Sequence, residues 1–369
     1  MQIGNADRYD VSAISCGRDH TLALLSSGKV IGWGGDGSGR VPSGDPEYCT
    51  TPAPTRAVEV LSRDSLRRIA AGDGVSLAVT QRREVTAWGA RGAGIDGSAG
   101  AVDAARPWPV ATLARIRDVA AGEFQCAAID ESGALFTWGM NVDGALGRGC
   151  DGFEAPPARV SAVPAMHSVA LGKGYMLALS KDREVFAWGG NGAGQLGLGH
   201  LSSVALPAPV RIGEKVDAIA AGASHALALT VNGKVLAWGS NNHGQLGRDA
   251  PAYATTPLPV DMPEQMQAVA AGMYFSLALG RSGRVYAWGW NRQGQLGVAD
   301  PADRWQPMPV PSVVNARAIA AGQAHAAALA DDALYAWGSN AAGQLGVAAA
   351  AQHSPVRLLV TAAKERHHG

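Results

Sequence analysis

The sequence predicts an all-β protein, a seven-bladed β-propeller of four-stranded antiparallel sheets. Three observations lead there. Trp-Gly recurs at Trp33, Trp88, Trp138, Trp188, Trp238, Trp288 and Trp337, at intervals of 55, 50, 50, 50, 50 and 49 residues. A glycine closing a short apolar run recurs at Gly17, Gly72, Gly122, Gly172, Gly222, Gly272 and Gly322, at intervals of 55 and then five of 50. Two independent landmarks that keep one period near 50 mark a solenoid, an array or a propeller. The residues between them form short apolar runs broken by turn sequences, and no stretch is long enough for an amphipathic helix.

The fifth copy shows each element in order. Val216–Gly222 is a first strand, Ala-Ser a turn, and His225–Thr230 a second strand. Asn232-Gly233 makes the next turn, because Gly tolerates the left-handed backbone such turns need. A third strand ends at Trp238-Gly239, and the polar loop Ser240–Gly247 leads to a run containing Leu258-Pro259-Val260. Proline cannot donate to a ladder, so this fourth strand belongs at a sheet edge. A lone sheet of this kind leaves both faces wet, whereas seven set radially cover one another. Ala-Ala-Gly at 70–72, 120–122, 220–222, 270–272 and 320–322 puts small residues where such sheets crowd. The repeated Trp plugs the space between sheets, and its indole N–H calls for a carbonyl partner.

The repeats fall near 11–60, 66–112, 116–162, 166–212, 216–262, 266–312 and 316–360, between an N-terminal extension (1–10) and a tail (361–369) expected to fray. Only ten residues precede the first glycine-closed run, too few for a proline-bearing strand ahead of it. That strand is expected from the other end: Ser354–Val360 should pair with the sheet begun by Val11–Gly17 and close the ring. On this reading, deleting residues 353–369 collapses thermal stability.

Composition narrows the function. Lys+Arg and Asp+Glu both number 31, so the net charge is zero and the electrostatic footprint of a nucleic-acid binder is absent. At 47% hydrophobic and 17% charged, the chain can bury enough apolar surface to fold. No run of apolar residues is long enough to span a bilayer, and the first residues lack the apolar core of a secretion signal. Cys16, Cys49, Cys126 and Cys150 show no metal-ligand spacing and read as reduced thiols. A monomer in the cytoplasm is expected, with Sec-independent delivery to a host cell as the alternative, and no membrane or nucleic-acid partner.

Ala-Ala-Gly-x-x-His-x-x-Ala-Leu followed by Trp-Gly-x-Asn-x-x-Gly-Gln-Leu-Gly resembles the regulator of chromosome condensation repeat family. Gly-Gln-Leu-Gly is intact at 194–197, 244–247, 294–297 and 343–346; the third copy reads Gly144-Ala-Leu-Gly147, and the first two drift to Gly39–Pro42 and Gly94–Gly97. The uniform copies, short loops and abundant alanine suggest a bacterial member. The resemblance implies a propeller face used for binding and spans several functions, so it fixes the fold more closely than the activity. It implies a protein-interaction module first. Guanine nucleotide exchange on a small GTPase is an alternative, with Asp19, His20, Asp73 and Glu123 as counterparts of contact residues. No wedge insertion is evident beyond five extra residues near Ser43–Pro52. An enzyme inhibitor like the propeller that binds β-lactamase is a second alternative. No upper turn reads Gly-Trp-Arg-His, which argues against an ultraviolet photoreceptor.

Alternating strand directions put the turn after each landmark Gly and the loop after each Trp-Gly on one face, here called upper. Between copies, variation concentrates there. Candidate partner-binding residues are Arg18, Asp19, Asp73, Glu123, Phe124, Lys173, Tyr175, Tyr253, Met273, Tyr274, Trp290 and Arg292. Met273, Tyr274, Trp290 and Arg292 are the residue types of an interface hot spot. Phe275 and Trp305 are expected to fill gaps between blades. His20, His225 and His325 are read as structural residues that bond their own turns, and the Asn after Trp-Gly as a loop fastener. The upper carboxylates Asp19, Asp73, Glu123 and Asp143 look scattered blade by blade, and no catalytic residue, metal site or cofactor is expected.

Overall fold

The computed structural model describes residues 10–35, 58–61, 65–89, 107–249, 251–331, 333–348 and 351–358. Most of the N-terminal extension, the excess around Ser43–Pro52, the drifted motifs at 39–42 and 94–97, Cys49 and the tail lie outside the described residues.

Seven four-stranded antiparallel sheets form, each taken in chain order from one repeat. The first comprises Val11–Cys16, His20–Leu25, Val30–Gly34 and Val58–Leu61. The fifth comprises Val216–Ala221, His225–Thr230, Val235–Ser240 and Tyr253–Val260, and the sixth Met266–Ala271, Phe275–Gly280, Val285–Gly289 and Arg304–Pro309. The seventh comprises Ala316–Ala321, His325–Ala330, Leu334–Gly338 and Gln352–Leu358. The first strand of every sheet lines a central channel whose walls include the Ala-Ala-Gly segments. Second strands such as His20–Leu25, Tyr175–Ser180 and Phe275–Gly280 are buried along their whole length, because a neighbouring blade covers each face. That is why they read as continuous apolar runs instead of alternating. Outer strands carry proline and are partly exposed, as edges should be.

The ring closes differently from the sequence expectation. Gln352–Leu358 pairs with Leu334–Gly338 of its own sheet, and the first sheet has its own fourth strand at Val58–Leu61. The fourth strand always follows Trp-Gly of the same copy, so every sheet is complete and no strand is exchanged. Sheets one and seven meet instead by packing: Val11, Leu25, Ile31 and Trp33 share a core with Ala320, Leu329 and Leu334. The Gln323 amide donates to the Gly17 carbonyl (3.2 Å) and the Arg317 guanidinium to the Val11 carbonyl (2.8 Å).

The repeat motif is a clamp between neighbours. Trp188, Trp238, Trp288 and Trp337 each donate their indole N–H to a carbonyl of the preceding blade's loop: Ala145, Gln195, Gln245 and Gln295, at 2.8–2.9 Å. The last Gly of the motif lies under that indole with φ near +70°, and a Cβ on Gly247 would come within 2.9 Å of Trp288 Nε1. Asn191, Asn241 and Asn291 accept from the backbone N–H of Leu196, Leu246 and Leu296 (3.0 Å each). Asn191 and Asn291 also donate to loop carbonyls, the expected fastener.

Candidate functional site

Antiparallel pairing puts the turn after each landmark Gly and the loop after Trp-Gly at one end of every sheet. The two are tied together, for example by the Trp290 amide donating to the Tyr274 carbonyl (2.9 Å) and the Met140 amide to the Phe124 carbonyl (2.8 Å). The upper face is therefore a rigid platform.

Its centre is the mouth of the channel, a cavity of about 150 Å³. Backbone bonds link the inner turns of successive blades: Asp73 N to Gly122 O (3.0 Å), Ala223 N to Met273 O (3.1 Å) and Met273 N to Gln323 O (3.1 Å) are examples. This closeness corrects the reading of scattered carboxylates. Asp73 is raised to about 6, first by burial and then by the Glu123 and Asp19 charges, with Arg18 and Lys173 opposing. Glu123 pairs with Lys173 at 3.4 Å. Arg18, Asp19, Asp73, Glu123, Lys173 and Met273 thus form one mixed-charge rim. Asp143, further out, stays apart from it and faces Gly190 of the next blade.

Tyr175 does not belong to this face. It is fully buried, and its hydroxyl donates to the Gly222 and His225 carbonyls of the next blade. The third position after the landmark Gly opens the second strand and points along the seam between blades. The three histidines at this position are structural, as expected, but bond the neighbour and not their own turn. His20 Nε2 lies 2.8 Å from Ser76 Oγ, His225 Nε2 3.0 Å from Ser276 Oγ, and His325 Nε2 3.0 Å from Thr21 Oγ1. Ser276 Oγ donates onward to the Gln245 carbonyl (2.8 Å), so its one proton is committed and His225 Nε2–H must be the donor to it. Burial holds His225 and His325 at about 4, against a smaller upward pull from the backbone of Phe275 and of His20. Phe275 fills the equivalent gap in the sixth blade, as expected. Trp305 does not: it is 43% exposed at the start of the sixth outer strand, where it borders a cleft instead of an interior gap.

An aromatic cluster crosses the fifth and sixth blades. Tyr274 and Trp290 meet edge to face with centroids 6.1 Å apart, and His243 stands 5.4 Å from Tyr274 and 6.1 Å from Trp290. Asp303 fixes it: Oδ2 lies 2.9 Å from His243 Nδ1, and Oδ1 accepts from the Asn291 amide at 3.0 Å. Tyr274 and Trp290 are half-buried, Arg292 beside them exposed. Sequence reasoning missed His243 and Asp303. A signal existed, since the position before Gly-Gln-Leu-Gly varies (Asp143, Ala193, His243, Gln293, Ala342) and reaches toward the next blade's loop. Phe124, Val142 and Phe153 add exposed apolar side chains on the third blade, and Leu201 and Tyr253 on the fourth and fifth. Among the described residues no cluster of metal-ligating side chains occurs, Cys16 and Cys126 are buried free thiols, and no helix is long and apolar enough to cross a membrane.

A closed ring of seven sheets, clamped by Trp and Gly-Gln-Leu-Gly and offering one face of divergent loops, defines a propeller of the chromosome-condensation-regulator type. The RCC1-like domain family model matches residues 91–368, and that of the regulator of chromosome condensation (RCC1) repeat matches residues 11–40; the chain belongs to this family. Over 89 residues it is 36% identical to the ultraviolet-B receptor UVR8 of Arabidopsis thaliana, covering 24% of this chain and 20% of that protein. The chain thus aligns with about a fifth of the curated relatives' length. Human WBSCR16 superposes with a TM-score of 0.81 at 22% identity, covering 89% of this chain and 94% of that one. Prp20p of Saccharomyces cerevisiae superposes with 0.74 at 23% identity, covering 95% and 87%.

Proposed function

We propose that the protein is a non-catalytic interaction module that captures a protein partner on its upper face. One observation carries this reading. Among the described residues, the exposed large apolar side chains outside the strands gather on the upper rim of blades three and four (Phe124, Val142, Phe153, Leu201), with Tyr253 at the upper start of the fifth outer strand and the aromatic cluster of blades five and six beside it, while the opposite face shows only Val231 and Val314. Apolar and aromatic anchors held on a rigid rim are what a hot spot needs. A photo-reactive amino acid placed at Arg292 (upper, exposed) and separately at Arg281 (opposite, exposed) tests it in the native cell. Adducts from position 292 and none from 281 are expected; adducts from 281 alone would overturn the assignment.

The mixed-charge mouth favours a second reading, guanine nucleotide exchange on a small GTPase. The structural neighbour Prp20p is described by its binding to Gsp1p and histones, and Asp19, Asp73 and Glu123 of this chain converge on one rim. A panel of small GTPases loaded with fluorescent nucleotide separates the readings. Accelerated release that is lost in Asp73→Ala supports exchange, and unchanged release across the panel leaves the binding module.

A further inference from the structure

Beside the aromatic cluster, between the fifth and sixth blades, lies a recess of about 480 Å³ lined by Asp249, Asp303, Arg304, Trp305, Gln306 and Met308. Its volume lies in the range of sites that hold a side chain or small ligand. Trp305 and Met308 give it an exposed apolar wall. Its charge is one-sided. Arg304 is already neutralised by Asp300 at 2.7 Å, and the nearby Arg248 reaches the other way, to the Pro259 carbonyl. Among the described residues, Asp303 meets His243 through Oδ2 and the Asn291 backbone amide through Oδ1, and no Lys or Arg. Asp249 is exposed and forms no ion pair among the described residues. An open indole face flanked by two carboxylates suits a guanidinium or ammonium group, which stacks on the ring while its N–H groups meet the oxygens.

We propose that this recess, framed by Trp305, Met308, Asp249 and Asp303, receives an arginine- or lysine-bearing extended segment of a protein partner. The inference rests on the reading of the upper face as a partner-binding surface and names the chemistry of what is bound. Arginine is the better occupant, because its planar group stacks on Trp305 and can reach both carboxylates at once. The basic side chain supplies the charge, and an apolar neighbour in the segment covers Met308. Phosphate-bearing ligands are disfavoured, since the two carboxylates repel them.

The test is fluorescence anisotropy of the full chain with a labelled Gly-Leu-Arg-Leu-Arg-Gly peptide, its Arg→Glu counterpart, and a single-stranded oligonucleotide. Saturable binding of the arginine peptide alone is expected. Trp305→Ala or Asp249→Asn should each weaken it about tenfold, the worth of a partly desolvated cation–aromatic or charge-assisted contact. Both side chains are exposed, and an unchanged melting temperature verifies folding. Val231→Ala on the opposite face should leave peptide binding intact, and adducts from position 292 are scored apart from peptide binding, which separates failure of this inference from failure of the wider reading. No saturable binding, equal binding of the glutamate peptide or the oligonucleotide, or indifference to both recess substitutions would overturn it.

Discussion

At the scale of single residues, the seams between blades follow a pairing rule. Where the third position after the landmark Gly is His (His20, His225, His325), the residue facing Trp in the next blade is a hydroxyl (Ser76, Ser276, Thr21). Where it is Val75, Gln125, Tyr175 or Phe275, the next blade offers Cys126, Met176, Ala226 or Ala326. The pairs were legible in the sequence once positions are compared between successive copies and not within one. Tyr175 was misassigned because an aromatic that opens a strand right after a variable turn gives no sign that it points into the seam and not onto the face. Ser276→Ala should cost about 1–3 kcal/mol, leaving a buried imidazole donor without its acceptor. His225→Phe with Ser276→Ala imitates the Phe275–Ala326 pair and should recover most of that loss in denaturant titrations. The double variant should also lose the share of acid sensitivity that His225 supplies. The native histidine is held neutral down to about 4 while the unfolded one protonates near 6.5, so its contribution is complete above pH 6.5 and falls away toward pH 4. Asp73 runs the other way: its folded value near 6 exceeds the model-peptide value of 3.8, so it favours folding at low pH and costs stability as pH rises through 4 to 6. Asp73→Asn should therefore raise stability at pH 7 by about 1–2 kcal/mol, its partial exposure considered, with no gain at pH 3.5.

At the scale of elements, the Gly-Gln-Leu-Gly loop joins blades more than it finishes one. Gln245 shows this: its carbonyl accepts from both Trp288 and Ser276 of the next blade, while its side chain braces its own loop by accepting from the His243 amide. Gly247 combines φ +70° with no room for a side chain, since a Cβ there would stand 2.7 Å from Val260 Cγ1 and 2.9 Å from Trp288 Nε1. Gly247→Ala should then cost about 2–4 kcal/mol through backbone strain and crowding of the seam, read as a lower Tm with red-shifted Trp emission. A change of a few tenths of a kcal/mol would mean that the loop relaxes freely. Strand order, the Trp plug and the Asn fastener were all readable, because period and turn chemistry are local. The cluster of His243, Asp303, Tyr274 and Trp290 was half readable. Tyr274 and Trp290 stand out by residue type, whereas His243 and Asp303 lie 60 residues apart and meet only through the radial stacking of blades. Trp305 shows the converse limit, since a large aromatic on a crossing segment gives no sign of whether it turns inward or out.

At the scale of the whole molecule, closure is where the sequence misleads and where the physics is simplest. Counting residues before the first landmark suggests a shared strand, but seven complete sheets need none. Blade seven meets blade one with the inner-ring and histidine–hydroxyl bonds of other seams, although among the described residues the buried Trp33 indole N–H has no carbonyl partner there. Gln323 N to Gly17 O continues the inner ring, and His325 to Thr21 continues the seam pairing, with Thr21 Oγ1 donating to the Gln344 carbonyl at 2.9 Å. The first and last sheets therefore meet across a non-covalent seam, and the strand Gln352–Leu358 is only the outer edge of blade seven. Ending the chain after Ala351 should lower stability by about 2–5 kcal/mol, the loss of one edge strand from a cooperative unit, without opening the ring. Hydrogen exchange distinguishes the two outcomes: the Gln323 amide bonds across the seam and not to the deleted strand. Its protection should fall only in step with global stability. Selective loss of that protection, with the Met273 amide of the adjoining seam still protected, would show that the terminal strand holds the ring shut after all.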